Sequence, residues 1–455
     1  MIIGLVTGVA IVVLACAVLI LTAYAIRHYA LAIRRLVAGN PRDPFELRGF
    51  VMPRVSVLIP MHNEERVAAD VLNAVIEADY DRNLLEVIVV NDRSSDATGA
   101  ILDDFASRYP FISVIHRKDG KGGKPRALIE GTRRAKGDVL LLFDADYVPA
   151  RTTLKDLVVP FCDPQVGAVM GRVIPGNATA SMLAALLELE RAAGYQVGQQ
   201  ARHELRLTPQ FGGTVGGVRA AALKAVGGWN PASLTEDTDL TYRLLIGGWK
   251  ITYVNRAECY EEAPESWPAR RRQIARWATG HTECFHRFWY PIIRSSRLTV
   301  REKLDAVIVL GSYLTAPVIV AGWCAAVWLL LFSNTPIVLP LWLALTFVGF
   351  QLFGSQATFV ELGAAALLDR NRYRVLLLPA TVLSFFATTV AICGALLRYY
   401  GSGQGVRLGA GRKWDKTERF RVNGNGSHNG VNGGHNGVNG GHNGTGNGSA
   451  DHTRR

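Results

Sequence analysis

Asp144 and Asp146 stand one residue apart directly after Asp138 to Phe143 (DVLLLF), an apolar run with the length and composition of a buried strand. Two carboxylates at that spacing suit a hard cation such as Mg²⁺ or Mn²⁺. Such an ion takes few protein oxygens and completes its shell with phosphate and water. Short acidic pairs also cap helices or sit solvated in turns, so the strand end is what gives this pair meaning. Two similar turns precede it: His62-Asn63-Glu64 after Val55 to Pro60 (VSVLIP), and Asn91 to Asp96 (NDRSSD) after Glu86 to Val90 (EVIVV).

These turns need elements to hold them. Helical patterns over Arg66 to Glu77, Thr98 to Tyr109 and Lys124 to Ala135 alternate with the three apolar runs and with a further strand, Ile112 to Ile115. The alternation predicts an α/β domain with a mostly parallel sheet covered on both faces. Ligands of such sheets sit beyond the carboxyl ends of the strands, where all three polar turns fall. No GxGxxG follows the first strand and no GxxxxGK[ST] occurs, which argues against a dinucleotide enzyme or a P-loop NTPase.

Further along lie Phe211-Gly212-Gly213-Thr214, Ser233 to Leu240 (SLTEDTDL) and Arg271 to Trp277 (RRQIARW). With the earlier turns, this sequence resembles the membrane-embedded branch of family 2 glycosyltransferases, whose signature is D, D, D, QxxRW. That branch includes cellulose, chitin, hyaluronan and mannan synthases and ceramide glucosyltransferases. The resemblance covers residues 53 to about 280 and implies a GT-A (Rossmann-like) catalytic domain inserted between transmembrane helices. By the same likeness, Asp92, Asn63, Glu64, Lys124, Asp144, Gln273 and Arg276 would bind a nucleotide-sugar donor. Asp144 and Asp146 would hold Mg²⁺ or Mn²⁺, acting as a Lewis acid on the departing diphosphate. Asp237, in the Glu236-Asp237 pair, would be the general base, and Gly213, Thr214 and Trp277 would face the acceptor. Asn91 and His62 depart from the family's acid and tyrosine at those places. An aspartate opening the Leu240 to Ile246 helical pattern could also serve merely as an N-cap.

The chain has 455 residues, 49% of them hydrophobic. Ile2 to Ile26 carries no charge and is long enough to cross a bilayer. Ala306 to Phe332, Pro336 to Val360 and Val375 to Leu397 are similar stretches. The expected layout is an anchor over 1–27, a catalytic domain over 50–265 and an interfacial amphipathic segment over 266–303 carrying QxxRW. Membrane helices over 304–400 and a basic, then Asn/Gly/His-rich tail over 401–455 complete it. His281 and His286 read as interfacial polar residues.

The net charge of +12 is explained by arginines and lysines beside the spans, such as Arg27, Arg34, Arg35, Arg294, Arg297, Arg301 and Lys303, and not by nucleic acid. That bias places the catalytic domain in the cytoplasm of a multi-pass cell-membrane protein. One span before the domain and three after would leave the tail outside, against the basic run Arg407 to Arg421. Six cysteines with no CxxC pair read as buried hydrophobes.

The expected function is inverting transfer from a nucleotide sugar, UDP-linked sugars leading and GDP-mannose remaining open. The acceptor is a growing β-linked polysaccharide, with single transfer to a membrane lipid as the alternative. Retention of all seven signature residues argues against an inactive scaffold.

Overall fold

The computed structural model describes residues 2–38, 51–332, 357–369 and 372–401. The tail after residue 401, and most of the Pro336 to Val360 stretch, lie outside the described residues.

Four strands follow the expected pattern: β1 (Val55–Met61), β2 (Leu85–Asp92), β3 (Ile112–Arg117) and β4 (Val139–Leu142). Helices α2 (Ala68–Glu77), α3 (Thr98–Arg108) and α4 (Lys124–Arg134) connect them, after an N-terminal helix α1 (Ile2–Ala38). Neighbours β3, β2, β1 and β4 are all parallel. Strand β1 is buried on both faces. Val55, Val57 and Ile59 pack into one core with Val71 and Leu72 of α2, while Leu58 packs into a second with Leu128 of α4. That double burial explains why these strands read as continuous apolar runs instead of alternating ones.

The second half of the sheet was not legible in the sequence. It comprises β5 (Val148–Pro149), β6 (Val166–Pro175), β7 (Gly216–Arg219) and β8 (Lys250–Glu261), completing eight strands in the order β3-β2-β1-β4-β7-β6-β8-β5. Here β7 is antiparallel to both β4 and β6, β6 and β8 are parallel, and β5 is antiparallel to β8. Helices α5 (Thr153–Val158), α6 (Met182–Ala192), α7 (Gln200–Glu204), α8 (Ala220–Ala225) and α9 (Glu236–Gly247) are interleaved, with a π-helical turn over Ala193–Gln199 between α6 and α7. Gly248 closes α9 in the left-handed conformation at φ +85°.

Helix α10 (Trp267–Arg294) starts where Ser266 accepts from the amide of Ala269 and Pro268 follows in the first turn. Its Cys284, Phe288 and Ile292 pack on Tyr242 and Leu245 of α9 and on α11 (Val300–Leu310), which a Thr299–Glu302 capping box begins. The apolar stretch expected from Ala306 to Phe332 is broken by a turn at Gly311–Leu314, so that α12 (Thr315–Phe332) is a separate helix. A short apolar helix α13 (Ala357–Leu368) and a last helix α14 (Leu378–Gly401) follow. Among the described residues three segments are long and apolar enough to cross a membrane: Ile3–Ala38, Ser312–Leu329 and Tyr373–Gly401.

Helix α1 exceeds its expected end at residue 27. Its 37 residues make a rod of about 55 Å, against a hydrocarbon core of ~30 Å. Apolar contacts explain the first part, Ala10 lying against Ala325 and Leu329 of α12. Ion pairs explain the rest: Arg27 meets Asp305 at 2.8 Å, His28 meets Glu361 at 2.8 Å and Arg34 meets Glu204 at 3.0 Å. Arg35 is fully buried, donating to Glu204 at 2.7 Å and to the Gln196 carbonyl at 2.8 Å. These arginines therefore do more than flank a span, because they fasten α1 to the wall of the sheet domain.

Replacing Arg35 by Met should destabilise the protein by roughly 3 kcal/mol, the low end for breaking a buried pair, because Arg34 still neutralises Glu204. The check is thermal unfolding of detergent-purified protein, and an unchanged midpoint would remove Arg35 from the structural role.

Candidate active site

The carboxyl ends of β1, β2 and β4 open into a cavity of about 1050 Å³. Glu64, Asp92, Lys124, Asp144, Asp146, Thr214, Glu236, Asp237, Gln273, Arg276 and Trp277 line it, drawn from seven separate segments. Two residues singled out in the sequence, Asn63 and Gly213, are not among its lining and act from behind it.

Asn63 sits at φ +55°, a conformation asparagine tolerates, and its side-chain oxygen accepts from the Ser95 amide at 2.7 Å. It thereby clips the turn after β1 to the turn after β2. Asp92 is buried and fully engaged: Arg117 donates at 2.6 Å, Arg93 at 3.2 Å and the Gly123 amide at 2.8 Å. The last of these bonds fixes the start of α4 and hence Lys124, its first residue. His62 donates to the Asp92 carbonyl at 2.7 Å, whereas Asn91 bonds His116 on β3 at 3.0 Å and does not line the cavity.

Lys124 joins the two halves of the site. Its ammonium lies 2.6 Å from Asp144 and 3.5 Å from Glu236. Burial works against its charge, but Asp144, Glu236 and Asp237 outweigh that and raise its pKa, so it stays protonated. Glu236 and Asp237 both have raised pKa values. Burial raises both, opposed by Lys124, and the Asp237 carboxylate raises Glu236 further.

Asp237 is not the N-cap of α9. Thr235 occupies that position and Asp237 is the second helical residue, accepting from the Thr238 amide at 2.7 Å. Gly213, at φ +70°, passes so close that an added Cβ would lie 2.8 Å from the Asp237 Cβ. Thr214 accepts from the Asp144 amide at 3.1 Å, and Val215 is held at φ +47°, strained for a β-branched residue. The segment thus ties the end of β4 to the start of α9.

On α10, Gln273, Arg276, Trp277 and His281 share one face at helical spacing. Gly280 allows this face to approach the site, since a Cβ there would meet the Thr235 side chain at 2.4 Å. The Trp277 ring has the guanidinium of Arg191 at 5.3 Å and that of Arg270 at 5.5 Å. Arg191 is held by Glu261 at 2.6 Å, and Tyr147 also donates to Glu261. None of Arg191, Glu261 or Tyr147 carried a sequence signal, because each lies in or beside the unrecognised half of the sheet.

His281 corrects an expectation. It is not an interfacial polar residue but lines the cavity, with Nε2 3.2 Å from the Thr238 hydroxyl and its ring 5.0 Å from that of Tyr313. Burial lowers its pKa to about 4, so it is neutral. His286 does behave as a partly exposed residue, bonding the Tyr400 hydroxyl at 2.8 Å.

Among the described residues no cluster of three or more His, Cys, Asp or Glu side chains forms a complete metal cage. The pair Asp144 and Asp146 offers hard oxygens on the cavity wall and fits a cation whose other ligands come from a bound diphosphate and water.

Residues 53–280, half of the chain, match the family model described as glycosyltransferase like family 2, and the chain belongs to that family. It is 36% identical over 233 residues to a probable glycosyltransferase of Bacillus subtilis, covering 50% of this chain and 56% of that one. It is 32% identical over 315 residues to a beta-monoglucosyldiacylglycerol synthase of Synechocystis, covering 66% and 62% respectively. The chain thus spans rather more than half the length of these relatives. The fold is shared with a mannosyltransferase of Pyrobaculum calidifontis solved with GDP-Man and Mn²⁺, at a TM-score of 0.55 and 22% identity, over 80% of this chain and 98% of that one. The mixed α/β sheet is therefore of the GT-A type.

A transfer that needs Asp237 ionised should lose rate as pH falls through a pKa above the usual carboxylate range. Lys124→Met removes the charge that opposes the rise. The acidic limb of the kcat profile is expected to move to higher pH, and a limb that stays in place would exclude this coupling.

Proposed function

We propose that this chain is a membrane-bound inverting glycosyltransferase that takes a sugar from a nucleoside diphosphate and passes it to a hydroxyl of a membrane lipid. The observation that carries the reading is the extent of the cavity. It runs from Asp92 and Asp144 past Asp237 and Trp277 to Ser312 and Tyr313, the turn at which a membrane-length apolar segment begins. An acceptor anchored in the bilayer would meet the base there without leaving its leaflet. Similarity to a glycolipid synthase over two thirds of the chain points the same way.

In this reading Lys124 and Arg276 hold the diphosphate. A guanidinium can make paired bonds to phosphate oxygens, and a buried ammonium supplies a concentrated charge. Asp144 and Asp146 would hold Mg²⁺ or Mn²⁺, which when bound neutralises the leaving diphosphate. Asp237 takes the proton from the acceptor hydroxyl as the hydroxyl attacks the anomeric carbon from the face opposite the leaving group, inverting its configuration. Glu236 stays beside Lys124 and keeps that ammonium positioned. Trp277, steadied by Arg191 and Arg270, gives the acceptor an apolar face. The arginine-rich flanks of the apolar helices support a cytoplasmic catalytic domain.

The second reading is elongation of a β-linked polysaccharide. It is favoured by the likeness of residues 211–244 to mannan- and glucan-synthase-like sequences and by the several apolar helices beside the site. Purified protein supplied with radiolabelled UDP-glucose, UDP-N-acetylglucosamine or GDP-mannose and Mg²⁺ or Mn²⁺ separates the two. Label extracted into organic solvent is expected, and a high-molecular-weight, glycosidase-sensitive product would replace the lipid reading with the polymer one.

Asp237→Asn should retain donor binding and lose transfer by at least about a hundredfold, the scale of general-base catalysis. Asp146→Ala should weaken donor binding only when the divalent ion is present. Activity of Asp237→Asn within a few-fold of the parent would discard Asp237 as the base, and binding equally metal-dependent in Asp146→Ala would discard the cation site.

A further inference from the structure

Away from the donor residues, the cavity has a wall made by Gln199, Arg202, Gln210 and His281. Arg202 is 7% exposed, yet its side chain reaches this wall. Its Nη2 donates to Gln199 at 2.8 Å, and its Nε has no hydrogen-bond partner. Other buried arginines near the site have carboxylates: Arg35 has Glu204 at 2.7 Å, and Arg270 has Glu190 at 2.6 Å. Arg202 makes no ion pair among the described residues. The acids that act on it from a distance, Asp305 and Glu361, are engaged by Arg27 and His28, each at 2.8 Å. A guanidinium buried without its own carboxylate is costly to maintain, and a cavity-facing one is relieved by an incoming anion.

The position is also rigidly built. Gln199 ends the π-helical turn, a local geometry frequent at functional sites. Its amide is fixed at both ends: the oxygen accepts from Arg202 and from the Gln210 amide at 2.9 Å, and the nitrogen donates to the Gln210 carbonyl at 2.7 Å. Gln210 then donates to the Thr238 hydroxyl at 3.2 Å, next to Asp237. A continuous set of hydrogen bonds therefore relates Arg202 to the candidate base.

We infer that Arg202 is an acceptor subsite for a phosphate-class anion, so that the lipid acceptor carries a phosphate in its headgroup and is seated by it with a hydroxyl at Asp237. The inference rests on the lipid reading above and narrows it. In the reading above the donor's own diphosphate is held by Lys124 and Arg276, and Lys124 contacts Asp144 and Glu236, whereas this wall contacts Thr238.

The test uses full-length protein in phosphatidylcholine vesicles carrying equal amounts of diacylglycerol or phosphatidylglycerol, with the donor identified by the panel above. The parent should use phosphatidylglycerol with a kcat/KM about tenfold or more above that for diacylglycerol, the scale of a charge-assisted hydrogen bond. Arg202→Gln should bring that ratio close to one, and Arg202→Lys should keep part of it. The ratio is read within one preparation, so loss of folded protein cancels. Inorganic phosphate should inhibit use of phosphatidylglycerol by competing with the lipid, while phosphate competing with the nucleotide sugar instead would place the anion site at the donor and overturn the inference. Equal use of both lipids by the parent, or an unchanged ratio in Arg202→Gln, would overturn it while leaving lipid transfer standing. Label found only in a polymer would overturn both.

Discussion

The ammonium of Lys124, placed between Asp144 and Glu236, is the interaction on which the rest of the site depends. Three carboxylates, Asp144, Glu236 and Asp237, converge on one poorly solvated volume, where like charges without a counter-ion would be expelled or neutralised. Lys124, with Arg276 also acting on Asp237, lets them coexist, and it does so from the first turn of a helix whose start is fixed by Asp92. Through this contact the parallel half of the sheet, which ends in Asp92 and Asp144, is joined to α9, which lies between β7 and β8 of the other half.

Close backbone approach supplies what charge alone does not. Gly213 lies against Asp237 and Gly280 against Thr235, so both neighbours of α9's first turn are glycine contacts with no room for a Cβ. They allow the loop before β7 and the face of α10 to reach the same few residues. The strained Val215 beside them shows that this convergence is held against local preference.

The membrane-length helices are fastened to the catalytic domain through polar contacts instead of resting beside it. Arg35 reaches Glu204 and the π-helical turn, while Ser384 of α14 bonds Glu190, which also holds Arg270 of α10. The π-helical turn therefore has α1 on one side and the cavity on the other. That geometry explains why α1 continues well past the charge-free stretch that suggested a span ending near residue 27.

The sequence by itself determined the parallel half of the fold and most of the cavity's lining. Strands buried on both faces leave unbroken apolar runs, and polar turns at their ends stand out against them. It could not reveal β5 to β8, whose pairing is set by partners far along the chain and whose short or mixed patterns carry no period of their own. It also misplaced His281, because spacing on an amphipathic helix shows which residues share a face but not what that face meets. Only the tertiary structure decided that this face turns into the cavity, that Asn63 and Gly213 act from behind it, and that Arg202 lies on its wall without a carboxylate. Each of those facts depends on distances between segments distant in the chain, which only packing fixes.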